Sequence, residues 1–588
     1  MFRRDAVTLR PNAVDLLVVA FWILAAVSLP RAGYRWISYQ WFLHHSAALI
    51  LYLLLRSHPD PGGKFPGIFA TLIALAAGAE LLVALSQKFL LGVGRPSGTW
   101  ENPNLLAEFL AYGGIAAWFL LQGRGAAGRR WTPLLVALFA GGIVLTGSRG
   151  GFLISLAAVV YLLAGRFGWK RTIAGAALAA CAVLLVSNTL LTRFLGKGDP
   201  YAFERLGMWK SAVRIFLEHP MGVGVGHFKY YWPAARGPVE GSLIRYARHA
   251  LTPHSEFFSV LSELGLPGAV AFLGLGAAGF LSLRRVSQAW DSGVAGAAII
   301  LFVSFLHSLV ETNYHILGIL LVNAAALAVV STRLWRPLWE REVRLKGLVR
   351  GASIALLLAM VVYSGMTLAG TLFEGRGHAA LKDGRLREAE RRFVQAAAAD
   401  LWQSSFPDSA SAVQYRLYES GAGSDFLSMA VESEMDASTR NHLDFRYPAR
   451  LGFLYVKAMD HFPDARKEKI LGASLAAYTR AIRLNPHSAE IRVQKALALR
   501  AAGRGEESRR LLGEVLSDEP RYPAGWFFLG EALEREDRQK ALAAYEKAID
   551  LYYTYGKSAI DPDEKGFLFL DVKAVEKRVR ELKEDQGR

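Results

Sequence analysis

One cysteine, Cys181, stands in 588 residues, so an internal disulfide framework and a cysteine-built zinc site are both excluded. Charge is scarce too: charged residues make up 20% of the chain and hydrophobic ones 52%, where a soluble domain carries about a quarter charged residues. The charge there is leans one way, 68 Lys and Arg against 51 Asp and Glu, a formal +17. That surplus looks like a nucleic-acid signal only until it is located. Residues 373–588 hold 35 basic and 35 acidic side chains, whereas residues 1–372 hold 33 against 16. The whole excess lies in the apolar part. A soluble enzyme, a secreted disulfide-rich domain and a nucleic-acid-binding protein are all poor readings of that distribution.

What residues 1–372 do contain is apolar runs near the roughly 17–25 residues that cross a bilayer as a helix. Eleven such spans are expected: 12–30, 38–55, 67–87, 104–121, 131–147, 151–165, 172–191, 256–282, 293–310, 315–332 and 351–372. The first run lacks a small-residue cleavage site and further spans follow it, so no cleavable signal peptide is expected. With the N-terminus inside, the inner segments collect 19 Lys and Arg. The short outer loops hold only Arg31, Arg35, Arg95 and Arg149, with Lys88 near an interface. This is the bias that orients membrane helices, and an odd number of spans puts the C-terminal region outside.

The outer segment 192–255 departs from the trend. It holds nine Lys and Arg, four acids and four histidines, His219, His227, His249 and His254. Long loops cross membranes whatever their charge, so an ordinary solvated loop is one reading. The other is a basic chamber for an anionic substrate at the outer membrane face.

Beyond 373 the pattern changes to helices rich in Ala, Leu, Arg and Glu. Ser474–Ala481, Ser508–Val515 and Ala541–Ala548 align, with starts 34 and 33 residues apart, and Pro486 and Pro520 are 34 apart. That is the period of tetratricopeptide repeats, stacked helix pairs that bury small-to-large contacts. Ala389–Ala396, after Gly377 and Gly384, is a further candidate. An all-α chain is therefore expected: a polytopic membrane domain over 1–372, then a helical solenoid over 373–588. Such an array offers a surface to protein segments, or serves as a shield or dimer contact.

Three outer-face patches carry residues suited to chemistry. The first is SRGG (Ser148–Gly151), where glycines admit close backbone and Arg149 offers a planar fork to phosphate. An Arg flanking a span also snorkels without further role. The second runs from Arg205 and Trp209 to HPMGVGVGHF (His219–Phe228), whose alternate glycines mark a tight irregular loop. The third is HSEFF followed by ELGLPG (His254–Gly268), opening a span.

In this order, with GTWENPN (Gly98–Asn104) before them, the patches resemble the O-antigen ligase and polymerase superfamily of bacterial envelope proteins. The resemblance covers roughly residues 95–270, and several members likewise carry C-terminal tetratricopeptide repeats. It implies a C-type glycosyltransferase of the bacterial inner membrane, N-terminus cytoplasmic and repeats periplasmic, using no metal and no cofactor. The implied donor is a glycan on undecaprenyl pyrophosphate and the implied acceptor a hydroxyl of lipid A–core. Polymerases use a second lipid-linked repeat and related oligosaccharyltransferases a protein hydroxyl. Carried over by motif, the catalytic histidine falls on His254 and the pyrophosphate-binding arginines on Arg149 and Arg205. Ser255 stands where the family often has Asn. Supporting candidates are Asn102 and Asn104, Glu256 and Glu263, and Arg248 and His249.

The residue types suit that chemistry in their own right. Departure of a lipid pyrophosphate needs donors aimed at its oxygens in a dry site, and a histidine suits removal of the acceptor proton. No carboxylate pair is required, unlike sugar hydrolysis. A His249–His254 metal pair has no third ligand to complete it. The acids Glu80, Glu108, Glu263 and Glu311 either form a proton pathway, as in a transporter, or pair with Arg and polar groups beside the chamber. A lipid-linked-glycan transporter is the rival class; its site is expected near the midplane between repeated halves, and no such internal repeat is visible.

Overall fold

The computed structural model describes residues 7–57, 63–100, 102–187, 190–192, 204–239, 243–246, 250–286, 292–343, 346–461, 464–557, 562–568 and 570–586. The chain forms two compact units. One comprises Met1–Ala32, Ile37–Phe228 and Thr252–Ala355; the other comprises Gly33–Trp36, Lys229–Leu251 and Leu356–Arg588.

Ten of the eleven expected apolar stretches centre on helices of the first unit. These are α1 (Ala13–Ser28), α2 (Arg35–Ser57), α3 (Phe65–Phe89), α4 (Pro103–Gln122), α5 (Gly125–Thr146), α6 (Arg149–Phe167) and α7 (Trp169–Val186). After the short α8 (Glu204–Glu218) and α9 (Phe228–Ala235) come α10 (Glu256–Val286), α11 (Ser292–Ser308) and α12 (Leu317–Leu334). Six helices among the described residues are long and apolar enough to cross a membrane: α1 with its 3-10 extension to Arg31, α3, α4, α10, α12 and a later one over Ile354–Lys382. Arg149–Ala164 and Gly293–Ser308 are apolar but shorter. Polar residues dilute two of the others: His44 and His45 interrupt α2, and Arg129 and Arg130 open α5.

Helix α4 is the centre of this unit, with thirteen of its twenty residues buried against α3, α5, α6 and α11. Its start is locally encoded: Asn102 accepts from the amides of Asn104 and Leu105, and Pro103 occupies the first turn. Small residues let the neighbours close in. A Cβ on Gly113 would lie 2.4 Å from Ala77 Cβ, and one on Gly142 2.5 Å from Leu81 Cδ1, the kind of approach that holds helices together where surroundings are apolar. A polar cluster ties α1, α2 and α12 at one end. Asn12 and Asp15 form a capping box, the Asn12 amide donates to the Ser331 carbonyl, and Asp15 accepts from Tyr52 and pairs with Arg56. The only strands among the described residues are Val7–Leu9 and Arg341–Val343, an antiparallel ladder.

The second unit is a run of antiparallel helices. It begins within α13 (Lys346–Lys382) and continues through α14 (Leu386–Ala399), α15 (Ser405–Glu419), α16 (Asp425–Arg440), α17 (Arg446–Ala458) and α18 (Asp464–Leu484). It ends with α19 (Ala489–Ala501), α20 (Gly505–Asp518), α21 (Pro523–Leu533), α22 (Arg538–Gly556), α23 (Pro562–Phe567) and α24 (Val572–Gln586). The three aligned sequence stretches lie on α18, α20 and α22, and each buries its matched pair: Tyr478 and Ala481, Leu512 and Val515, Tyr545 and Ala548. Glycines seat the large members. A Cβ at Gly452 would be 2.9 Å from the Tyr478 ring, and one at Gly530 2.7 Å from Tyr545. Gly377 does the same for Phe393 on α14, so the Ala389–Ala396 candidate is a helix of the same type. The described residues between 400 and 470, where the sequence shows only a weak period, also fold as helices, α15–α17 and the start of α18.

Two stretches expected in the membrane domain group instead with the repeats, Gly33–Trp36 and Lys229–Leu251, as does the end of the last apolar run beyond Ala355. The helix α13 runs unbroken through that boundary, because no Pro or capping residue interrupts it.

Candidate active site

Two of the sequence patches form one structural piece. Helix α10 breaks at Gly265, whose φ of 66° suits glycine. The carbonyls so released accept from the glycine loop: Val223 N to Ser262 O at 3.0 Å and Gly224 N to Glu263 O at 2.9 Å. In return Leu266 N donates to Pro220 O. A Cβ on Gly265 would stand 2.2 Å from Pro220 O, and one on Gly222 2.3 Å from Glu263 O. Only glycine permits that approach. The Glu263 carboxylate completes the joint by accepting from the amides of Gly226 (2.8 Å) and Phe228 (3.0 Å). Its role is to hold the glycine loop.

His254 precedes α10 and has a φ of 49°, the one positive value at a non-glycine residue among those described. Strain of this kind persists where the surroundings enforce it, and clusters at functional sites. Trp209 supplies part of the enforcement: its Nε1 donates to Pro253 O at 3.0 Å, and its ring stacks on Phe258. Arg205 lies one turn before Trp209 on the same face of α8. Its Nη1 donates to Val310 O at 2.6 Å and its Nη2 approaches Glu311 Oε2 at 3.3 Å.

Glu311, in the turn between α11 and α12, is the hub. Its carboxylate accepts from His254 Nδ1 at 2.8 Å and from Asn104 Nδ2 at 2.6 Å, besides Arg205. The Glu311 side chain is 4% exposed and that of His254 44%. Burial alone would raise the carboxyl; the His254 hydrogen bond and the nearby His254 and Arg205 charges overcome it and hold it at about 2. An ionised carboxylate only accepts, so His254 carries a proton on Nδ1.

Arg95 and Asn104 extend the cluster, with Arg95 Nε donating to Thr146 O at 3.0 Å beside the SRGG turn. Arg149 is the first residue of α6, after the Ser148 cap. A Cβ at its neighbour Gly150 would lie 3.3 Å from His307 Nε2 and 3.7 Å from Val310 Cγ2. The turn carrying Arg149 therefore abuts the segment that Arg205 and Glu311 share. Below it a second pair, His307 Nδ1 to Glu108 Oε2 at 2.7 Å, is wholly enclosed, and Glu108 also accepts from Asn313. With no access for a substrate, that pair braces α4 against α11.

Of the residues named from sequence, His254, Arg205 and Asn104 thus converge on one carboxylate, and Arg149 lies on the adjoining turn. Asn102 caps α4, and Glu256 accepts the amide of Tyr314 at 3.2 Å. Arg248 and His249 lie outside the described residues. The four acids considered for a proton pathway each have hydrogen-bond partners in the fold, Glu80 those of Thr99. Glu311 was visible in sequence as an isolated acid, but its partners lie 57, 106 and 207 positions away, and no local spacing reports them.

Fold and site together define a polytopic α-helical membrane protein with a helical-repeat unit and a histidine–carboxylate–arginine cluster. Residues 134–273 match the family model described as O-Antigen ligase (Wzy_C); this interval contains Arg149, Arg205 and His254 and stops short of Glu311. No curated protein matches the chain. Solved structures that resemble it include TTC0263, a thermophilic TPR protein of Thermus thermophilus, at 21% identity over 32% of this chain and 98% of that one, TM-score 0.26. YrrB, described as a TPR protein with an unusual peptide-binding site, is 20% identical over 30% and 84%, TM-score 0.24. MamA from Desulfovibrio magneticus RS-1 is 16% identical over 32% and 96%, TM-score 0.27.

Proposed function

We propose that this protein is an O-antigen-ligase-like glycosyltransferase of the bacterial inner membrane. It transfers a glycan from undecaprenyl pyrophosphate to a hydroxyl of lipid A–core at the outer face, without a metal. The family match supports a ligase- or polymerase-type membrane glycosyltransferase. The observation that carries the finer reading is the half-exposed His254, held through Nδ1 by the buried Glu311 that Arg205 also engages. In this reading His254 Nε2 takes the proton of the acceptor hydroxyl as its oxygen bonds to the anomeric carbon. The bond from that carbon to the pyrophosphate oxygen breaks, and Arg149 and Arg205 stabilise the departing charge. Eleven spans with the repeats outside remain the preferred topology.

Reconstitution with an undecaprenyl-pyrophosphate glycan and three acceptors tests the reaction. Label on lipid A–core supports ligation, longer lipid-linked chains mean polymerisation, and labelled protein means an oligosaccharyltransferase. Donor crossing the vesicle membrane without transfer would favour a transporter. EDTA should leave the rate unchanged; loss restored by a divalent ion would overturn the metal-free reading.

The arginines should act mainly on the donor. Arg149→Ala and Arg205→Ala should each weaken donor binding as well as turnover, and Lys should restore only part, because an ammonium lacks the guanidinium's two-pronged fork. Direct titration of donor onto each variant checks this. Wild-type affinity in either Ala variant would remove that arginine from the phosphate site.

A further inference from the structure

The enclosed pair behind the site does more than brace two helices. Glu108 on α4 is surrounded by donors: its carboxylate accepts from His307 Nδ1 at 2.7 Å, Asn313 Nδ2 at 2.8 Å, Ser304 Oγ at 3.1 Å and the Tyr112 hydroxyl. Four donors satisfy one carboxylate without water, and the short bond to Nδ1 fixes the His307 ring. Neither side chain of the pair is more than 2% exposed. The opposite edge of that ring is where the Ser148–Gly151 turn rests. A Cβ on Gly150 would stand 3.3 Å from His307 Nε2 and 3.4 Å from Cδ2, inside the roughly 3.5–4.0 Å at which such atoms sit in contact. One on Gly151 would stand 2.5 Å from the Cβ of Ala107, the residue before Glu108. The two glycines of the turn thus fit the one ring and the one helix that Glu108 joins. Arg149 lies between Gly150 and Ser148, whose Oγ accepts the Gly151 amide at 3.1 Å. All of these residues belong to the first unit.

We propose that the His307 ring, held by Glu108, is the seat that positions Arg149 for the pyrophosphate of the donor. His307 and Glu108 are then positioning residues that touch no substrate. The seat follows from the packing; its consequence for the donor rests on the assignment of Arg149 proposed above. The means is steric. A guanidinium moves with the turn that carries it, and a displacement of a fraction of an ångström spoils a two-pronged contact with phosphate.

A size exchange in the full-length protein tests both parts, read by titration with undecaprenyl pyrophosphate, by transfer kinetics and by amide hydrogen exchange. His307→Asn keeps a side-chain N–H for Glu108 but removes the ring edge under Gly150; Gly150→Ala sets a methyl against that edge. Each should weaken undecaprenyl-pyrophosphate binding about threefold to tenfold while the acceptor KM stays at its wild-type value. Alanine suits a helical turn better than glycine, so Gly150→Ala should melt no lower than wild type, which separates its lost affinity from unfolding. In the His307→Asn background the methyl has room, and there Gly150→Ala should restore affinity instead of lowering it. The amides of Gly151 and Phe152, which donate to Ser148, should exchange severalfold faster in His307→Asn than in wild type. Wild-type exchange at those two amides, or an equal loss of affinity from Gly150→Ala in both backgrounds, would overturn the seat. Faster exchange at wild-type affinity, in a protein that Arg149→Ala does weaken, would overturn the positioning. If Arg149→Ala binds undecaprenyl pyrophosphate as wild type does, the donor assignment of Arg149 falls, while the exchange at Gly151 and Phe152 still decides the seat.

Discussion

His254→Ala should lower transfer about 10²–10⁴-fold, the contribution of a positioned general base, while donor affinity stays near wild type. The geometry argues for that split. His254 Nδ1 is committed to Glu311, which leaves Nε2 to accept a proton from an incoming hydroxyl. The competing assignment makes His254 a protonated third phosphate ligand beside the arginines. Donor affinity decides between them: a large loss of affinity in step with the rate would exclude the general base, and lost turnover at unchanged affinity would exclude the phosphate ligand.

Glu311→Gln should cost roughly 10²-fold or more in turnover, although the residue touches no substrate in this reading. The amide still has a carbonyl to accept from His254, but it brings no charge to stabilise the imidazolium that forms as the acceptor proton arrives. It also leaves the Arg205 charge half-buried beside a neutral group. The same substitution carries a pH signature. The Glu311 carboxyl is held at about 2 in the folded protein, below its ordinary value of about 4.3. A depressed carboxyl contributes stability that is fully present above its unfolded pKa and lost as pH falls through the folded one. The stability of wild type relative to Glu311→Gln should therefore be constant above about pH 5 and decline by an amount on the order of 3 kcal/mol as pH falls from about 4.5 through 2. An advantage that does not change across that window would mean the carboxylate is not ionised and paired as the structure shows. A turnover equal to wild type would sever Glu311 from the function of His254.

Most of the architecture was legible in sequence because it depends on local periodicity. The helices of the apolar half follow from runs of the right length, and the repeat helices from a 33–34-residue spacing of small and large residues that must meet once helices pair. The motif glycines were legible as a tight loop, and His254, Arg149 and Arg205 as candidates because their neighbours form ordered patches. The tertiary structure alone decided why the patches belong together. The loop around Gly222 and the break at Gly265 exchange backbone hydrogen bonds, Trp209 fixes Pro253, and Glu311 gathers His254, Arg205 and Asn104 across as many as 207 positions. The reassignment of Lys229–Leu251 to the repeat unit is of the same kind. Composition marks that stretch only as basic, whereas its place is set by a buried carboxylate 273 and 274 residues further along. Helices and repeats arise from neighbours a few residues apart, which a sequence displays; a site arises from charges and backbone groups that must find partners once water is excluded, and only the folded chain determines which partners those are.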